Sequence, residues 1–138
     1  MVRVHELVAE EKWSKRYHHI KEFERLLADE GTRIVKIFLN ISKEEQAERL
    51  RARLEEPAKA WKFHKSDLAN LELWDDFRTA YKKAIERTST DFAPWYVVAA
   101  NRKWYRNLVV SSILIDTLED MNPKYPPPER GLDEVSIT

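Results

Sequence analysis

The sequence predicts an α/β fold built on a parallel sheet, and three observations carry that prediction. Two short runs, residues 33–41 and 95–100, are almost continuously apolar or β-branched, as strands covered on both faces are. The segments around them carry apolar residues at helical spacing. The resulting order is helix, strand, helix, helix, strand, helix, the alternation of parallel α/β layers. Two strands make a thin sheet, because doubly wound domains usually have roughly four to six. The pattern therefore reads as the second half of such a domain.

Each element has its own signal. Residues 2–8, VRVHELV, alternate with period two and suggest a short strand or an extended lead-in. From about Glu10 to Glu30 the apolar positions Trp13, Tyr17, Ile20, Phe23 and Leu27 form one helical stripe, with Gly31 placed as its C′ residue. After the first strand, Ser42 and Glu45 have capping-box spacing. The helix they open runs to about Glu55, and Pro57 closes it. Residues 56–65 read as a polar, basic loop. A long helix is predicted from about Ser66 to Thr88, with Leu68, Leu71, Trp74, Phe77, Tyr81 and Ile85 on its apolar side. Pro94 introduces the second strand. Asn101 is placed to cap a last helix reaching about Met121, and Asn122-Pro123 stops it. The tail, 122–138, contains Pro126-Pro127-Pro128 and reads as extended or disordered.

Composition narrows the function classes. The 138 residues suit one domain or part of one. Charged residues make up 35%, yet the net charge is zero, so an anion site must be a local patch and nucleic acid is not an expected partner. The absence of cysteine removes disulfides, zinc–thiolate centres and cysteine nucleophiles, and fits a cytoplasmic protein. Residues 1–13 show no signal-peptide pattern, and no apolar run approaches membrane-spanning length. His18 and His19 are adjacent on a helix and do not form a ligand set, so no metal site is expected here. Only Gly31 and Gly131 are glycines, which leaves no glycine-rich phosphate loop.

Several residues suit an anionic, phosphate-like ligand. Gln46, Arg49 and Arg53 lie three and four residues apart on one helical stripe. Arginine forks match phosphate oxygens, although Glu45 and Arg49 also make an ordinary surface pair. Lys59, Lys62 and Lys65, interleaved with Trp61, offer point charges along a path, or else a solvated loop anchored by its tryptophan. Asn101, Arg102 and Lys103 follow directly on the second strand, and ligands of open α/β sheets collect at the carboxyl ends of strands. Arg16 sits on the first helix beside Tyr17, a stripe residue expected in the core.

These residues resemble the type-2 polyphosphate kinases. The matching segments are Trp13, Arg16-Tyr17, Ile20 and Phe23-Glu24; then Lys36 through Gln46 with Arg49; then Pro57, Trp61-Lys62, Asp67 and Trp74; and finally Thr88, Ala93-Pro94-Trp95 and Ala100 to Lys103. The wording is nearest to the branch that accepts both nucleoside mono- and diphosphates. The resemblance implies a P-loop-kinase-like parallel sheet with flanking helices, of which residues 1–121 form the C-terminal half. A helical lid module would occupy about residues 42–90. It implies phosphoryl transfer between inorganic polyphosphate and AMP, ADP or other nucleotides. Arg49 and Arg53 would be catalytic. Lys59, Lys62, Lys65, Gln46 and Arg16 would bind polyphosphate, and Asn101, Arg102 and Lys103 the nucleotide. The family's Walker A and Walker B segments have no counterpart in this sequence, so its magnesium ligands would lie outside it and the chain alone would be inactive. A homo-oligomer is expected. The alternatives are a non-catalytic polyanion- or nucleotide-binding module and a structural fragment that dimerises through an exposed sheet edge.

Overall fold

A computed structural model describes residues 2–130. Its helices are α1 (Glu10–Trp13), α2 (Arg16–Asp29), α3 (Lys43–Glu55), α4 (Pro57–Ala60), α5 (Ser66–Glu72), α6 (Trp74–Thr88) and α7 (Lys103–Met121). Its strands are β1 (Lys36–Asn40) and β2 (Trp95–Ala99), paired in parallel with Lys36 opposite Trp95 and Asn40 opposite Ala99. The α/β class and the parallel sheet are as the sequence predicts.

Local chemistry explains most boundaries. Helix α2 ends in a Schellman motif: Thr32 N–H donates to Leu27 C=O and Gly31 N–H to Ala28 C=O. Gly31 takes φ +87°, the left-handed turn glycine makes without strain. Asn122, at φ 43° and ψ 54°, ends α7 in the same region, just before Pro123. The rest of the described tail, 123–130, has no regular structure beyond a turn at Arg130 and is exposed; residues 131–138 of the predicted tail lie outside the described residues.

The structure corrects five predicted elements. Residues 2–6 form a turn and not a strand, closed by Leu7 N–H to Val2 C=O, with Glu6 at φ 49°. The curl seats His5 edge-on against Phe77 and puts the Arg3 guanidinium over Trp13. The first long helix breaks at Ser14-Lys15, where Trp13 turns edge-on to Tyr17. Tyr17 is half-buried there. The predicted basic loop contains a helical turn, α4, with Pro57 at its first position, where a missing N–H costs nothing.

The helix predicted for 66–88 is two helices meeting at Leu73. Leu68, Leu71, Trp74 and Phe77 recur at three-residue steps. At about 100° per residue each such step falls back about 60°, so a straight helix would turn Leu68 away from the face of Phe77. With the bend, α5 packs against α3 and α6 against α2, and Leu68 stays half exposed. Finally, the strands are not covered on both faces. Leu39, Tyr96 and Val97 are exposed, and each strand has a single neighbour among the described residues.

The sheet's two faces meet different helices. Phe38 meets Tyr81 of α6 in a tilted ring pair, centroids 5.2 Å apart. Ile37 and Leu39, on the opposite face, border α7 at Arg106, Asn107, Val110 and Ser111. At the amino ends of the strands, Lys36 Nζ lies 2.6 Å from Glu24 Oε2 and 2.7 Å from Thr88 O. It also sits over the Trp95 ring, whose Nε1–H donates to Thr88 Oγ1. One ammonium thus ties α2, α6 and the sheet together. The apolar core is thin: the buried hydrophobic residues described are Leu50, Ala93, Val98 and Ala100.

Candidate functional site

The carboxyl ends of β1 and β2 are held side by side, with Ala100 N–H donating to Asn40 C=O at 2.8 Å. Each strand runs straight into a helix start, so the residues just after them converge. Ser42 follows β1 and Asn101 follows β2. Asn101 Oδ1 accepts from Ser42 N–H at 3.0 Å, and Asn101 Nδ2 approaches Ser42 Oγ at 3.4 Å. Ser42 Oγ also accepts from Glu45 N–H, which caps α3.

This arrangement changes two sequence expectations. The capping box is half made, because the Ser42 N–H that Glu45 would have taken belongs to Asn101. Asn101 does not cap α7; Arg102 holds that position without a side-chain cap bond. The neighbouring strand end offers Asn101 a better-placed donor than its own helix does.

Glu45 turns instead to Arg49, whose Nε donates to Glu45 Oε1 at 2.7 Å. Arg49 Nη2 donates to Ala100 O at 2.7 Å and to Asn101 O at 3.3 Å. The guanidinium therefore bridges α3 to the end of β2. Arg53, one turn on, is half-buried and makes no ion pair among the described residues. Gln46 lies on the same stripe, its Oε1 buried without a hydrogen-bond partner. Glu44 is exposed at the start of α3, and its own backbone N–H, then the Ser42 hydroxyl, hold its carboxyl below the usual value.

The three lysines are exposed on the segment that follows α3. Lys59 pairs with Glu56, Lys62 Nζ lies 5.1 Å from the Trp61 ring centroid, and Lys65 stands at the start of α5. Helices α4 and α5 both pack against α3, which brings this basic segment to the helix of the arginine stripe. Arg102 and Lys103 are exposed at the start of α7. Arg16 is elsewhere, in a groove with Ile20, Phe23 and Ile34. Among the described residues no group of three or more histidine, aspartate or glutamate side chains could hold a metal ion, and no helix is long and apolar enough to cross a membrane.

Sequence reasoning missed the Ser42–Asn101 bridge, whose members lie 59 residues apart. No local pattern signals such a pair. It also missed Lys36 and Glu24, for which a signal exists. Glu24 interrupts the stripe between Ile20 and Leu27, and a carboxylate on an apolar stripe calls for a buried cation.

A small parallel sheet with flanking helices, whose strand ends lead to arginine, lysine and asparagine on two helix starts, defines an α/β protein. Residues 1–126 match the family model described as Polyphosphate kinase 2 (PPK2), and the chain belongs to that family. It is 54% identical over 137 residues to the AMP/ADP-polyphosphate phosphotransferase of Meiothermus ruber, covering 99% of this chain and 51% of that relative. It is 45% identical over 114 residues to the ADP-polyphosphate phosphotransferase of Rhodopseudomonas palustris, covering 83% of this chain and 39% of that one. The crystal structure of polyphosphate kinase 2 from Arthrobacter aurescens TC1 superposes with a TM-score of 0.90 at 43% identity, over 97% of this chain and 47% of that one. The chain thus spans about half the length of the curated relative it matches at 54% identity.

Proposed function

We propose that this chain is the C-terminal, lid-bearing half of a P-loop-type phosphotransferase that moves phosphoryl groups between inorganic polyphosphate and nucleoside mono- or diphosphates. The activities for which the relatives are named support the reaction class. The observation that carries the site is the convergence of Ser42, Arg49 and Asn101 at the carboxyl ends of both strands. In this reading Arg49 fixes α3 against β2, and Arg53 reaches the transferred group, where an aimed cation stabilises charge spreading over the phosphoryl oxygens. Gln46 and Arg16 would add polyphosphate contacts. Lys59, Lys62 and Lys65 would line the polyphosphate path on a lid formed by about residues 42–90. Asn101, Arg102 and Lys103 would face the nucleotide.

Magnesium would neutralise phosphate charge in the assembled enzyme, and the residues described here do not fit it as ligands. The chain's own part is to bind, orient and shield the phosphates. A cytoplasmic, homo-oligomeric enzyme is the setting this reading favours; the lack of cysteine supports the first and the bare sheet edges the second.

The test is a chimera in which residues 1–126 replace the matching part of the Meiothermus ruber enzyme. It should form ATP from ADP and polyphosphate with magnesium in a coupled assay, and the chain alone should not. A chimera that folds cooperatively yet shows no turnover with AMP or ADP would overturn the proposal.

A further inference from the structure

Helix α7 carries apolar residues on two sides. The side toward the sheet is half-buried and consists of Arg106, Val109, Val110, Ile113 and Thr117; the helix packs there on β2. A second stripe, Trp104, Leu108, Ser111, Ile115 and Leu118, runs in alternating steps of four and three residues. At about 100° per residue it lies roughly 160° round the helix from the first. Its four large side chains are between 53% and 63% exposed. A helix that only covers a sheet needs one apolar stripe. The second stripe has no cover among the described residues.

The spacing is that of a coiled-coil seam, so the shape it fits is another helix lying along it. The charges of α7 select which helix. Arg102, Lys103 and Arg106 precede Ser111 with no acidic residue among them, and Asp116, Glu119 and Asp120 follow it with no basic one. Asp120 meets Arg33, whereas Asp116 and Glu119 make no ion pair among the described residues. The complement of α7 is therefore an apolar helix of reversed charge order, and an antiparallel copy of α7 has that order. It also opposes the two helix dipoles. A parallel copy would set basic end on basic end. In the antiparallel register Leu108 packs against Leu118 of the partner subunit, and the small Ser111 against Ile115 of the partner subunit. On the flanks Leu114, an exposed residue, meets its own twin, and Tyr105 comes beside Glu119 of the partner subunit. Trp104 and Tyr105, edge-to-face at 5.8 Å, supply the aromatic anchors that interfaces favour.

We infer that the outer face of α7 is a self-association surface, on which a second copy of this chain docks antiparallel through Trp104, Leu108, Ile115 and Leu118. Extending the sheet past an open strand edge would not cover this face, because added strands bring helices beside α7 and not over its outer side. The inference goes beyond the proposed reaction. Its test reads association and orientation, and neither outcome depends on turnover.

Sedimentation equilibrium of the chain at micromolar concentrations should show a reversible dimer. Leu108→Glu and Leu118→Glu should each raise the dissociation constant at least about tenfold, as loss of a central apolar contact does. Leu54→Lys, at an exposed apolar site on α3, should not. Circular dichroism checks the folding of each variant. Orientation is read by cross-linking, because the chain has no cysteine of its own. Tyr105→Cys mixed with Glu119→Cys should give the mixed product with a short bis-maleimide. Tyr105→Cys alone should not cross-link, since its antiparallel twin lies about 24 Å away along the helix axis. These two substitutions leave the seam intact, so the cross-linking result stands even if a glutamate variant misfolds. A monomer throughout the micromolar range, a dimer indifferent to both glutamate variants, equal weakening by Leu54→Lys, or self-cross-linking of Tyr105→Cys in place of the mixed product would each overturn the inference.

Discussion

Replacing Lys36 by methionine should unfold much of what holds this chain together. The ammonium and its partner Glu24 are each 11% exposed, so both charges lie largely out of water. Methionine keeps the stem's volume and removes the charge. Glu24 is then left as a buried carboxylate without its cation, and Thr88 O loses its donor. Breaking such a pair from one side costs about 3–5 kcal/mol, and an orphaned carbonyl about 1–3 kcal/mol. The two losses share one site and do not add fully, so about 4 kcal/mol is expected. At roughly 4 °C per kcal/mol for a chain of this size, the midpoint falls about 15 °C. Removing both charges is a different matter, because an apolar pair of similar volume often matches a buried ion pair. The double variant Glu24→Leu/Lys36→Met should therefore recover the ion-pair share of the loss and stay about 1–3 kcal/mol below the original, because Thr88 O still lacks its donor. Urea titrations followed by far-UV circular dichroism on the two singles and the double close the cycle. A Lys36→Met cost below about 1 kcal/mol, or a double variant as unstable as the two singles summed, would refute the reasoning.

In the chimera, Arg53→Ala should lower kcat on the order of 10²-fold with little loss of stability, as expected of a charge contact made in the transition state; near-normal turnover would make it a solvated side chain. Arg49→Ala should lower both, because its guanidinium also holds Ala100 and Asn101, and a thermal midpoint equal to that of the parent would contradict that bridge. Replacing Lys59, Lys62 and Lys65 together by alanine should weaken polyphosphate more than ADP and flatten the salt dependence of polyphosphate binding; equal losses for both ligands would exclude a lysine path. Glu44 has its folded pKa lowered, so its contribution is fully present above its unfolded value and fades as pH falls through the folded one. Glu44→Gln should therefore shallow the acid limb of the stability profile, and an unchanged limb would show that the contact does not form in solution.

Much of this architecture is legible in the sequence because it rests on local signals. Gly31, Ser42, Pro57 and the Asn122-Pro123 stop each act within a few residues, and each marks a real boundary. The breaks at Ser14-Lys15 and Leu73 escaped because an apolar stripe can be drawn through a bend: periodicity counts positions, not axis direction. The burial of the strands was misjudged for another reason. Their composition suits a sheet covered on both sides, and this chain supplies only part of the cover. The arginine stripe was legible as a stripe, but not that Arg49 would turn to two backbone carbonyls more than fifty residues away.

The two ends of the sheet are built on different physics, and that difference bears on function. At the amino ends the ammonium, carboxylate and carbonyl make a largely buried set, with the two charged side chains each 11% exposed. Low local polarity makes such a set rigid and costly to disturb. At the carboxyl ends the bonds among Ser42, Asn101 and Arg49 are partly exposed, so water or a ligand can compete for each of them at a cost of about 0.5–1.5 kcal/mol per bond. An arriving phosphate can recruit Arg49 or Asn101 without unfolding anything, because the clamp at the far end keeps the strands in register. A rearrangement confined to the carboxyl end is thus the kind of change this sheet tolerates, and it is the end at which Ser42, Arg49 and Asn101 of the proposed site converge.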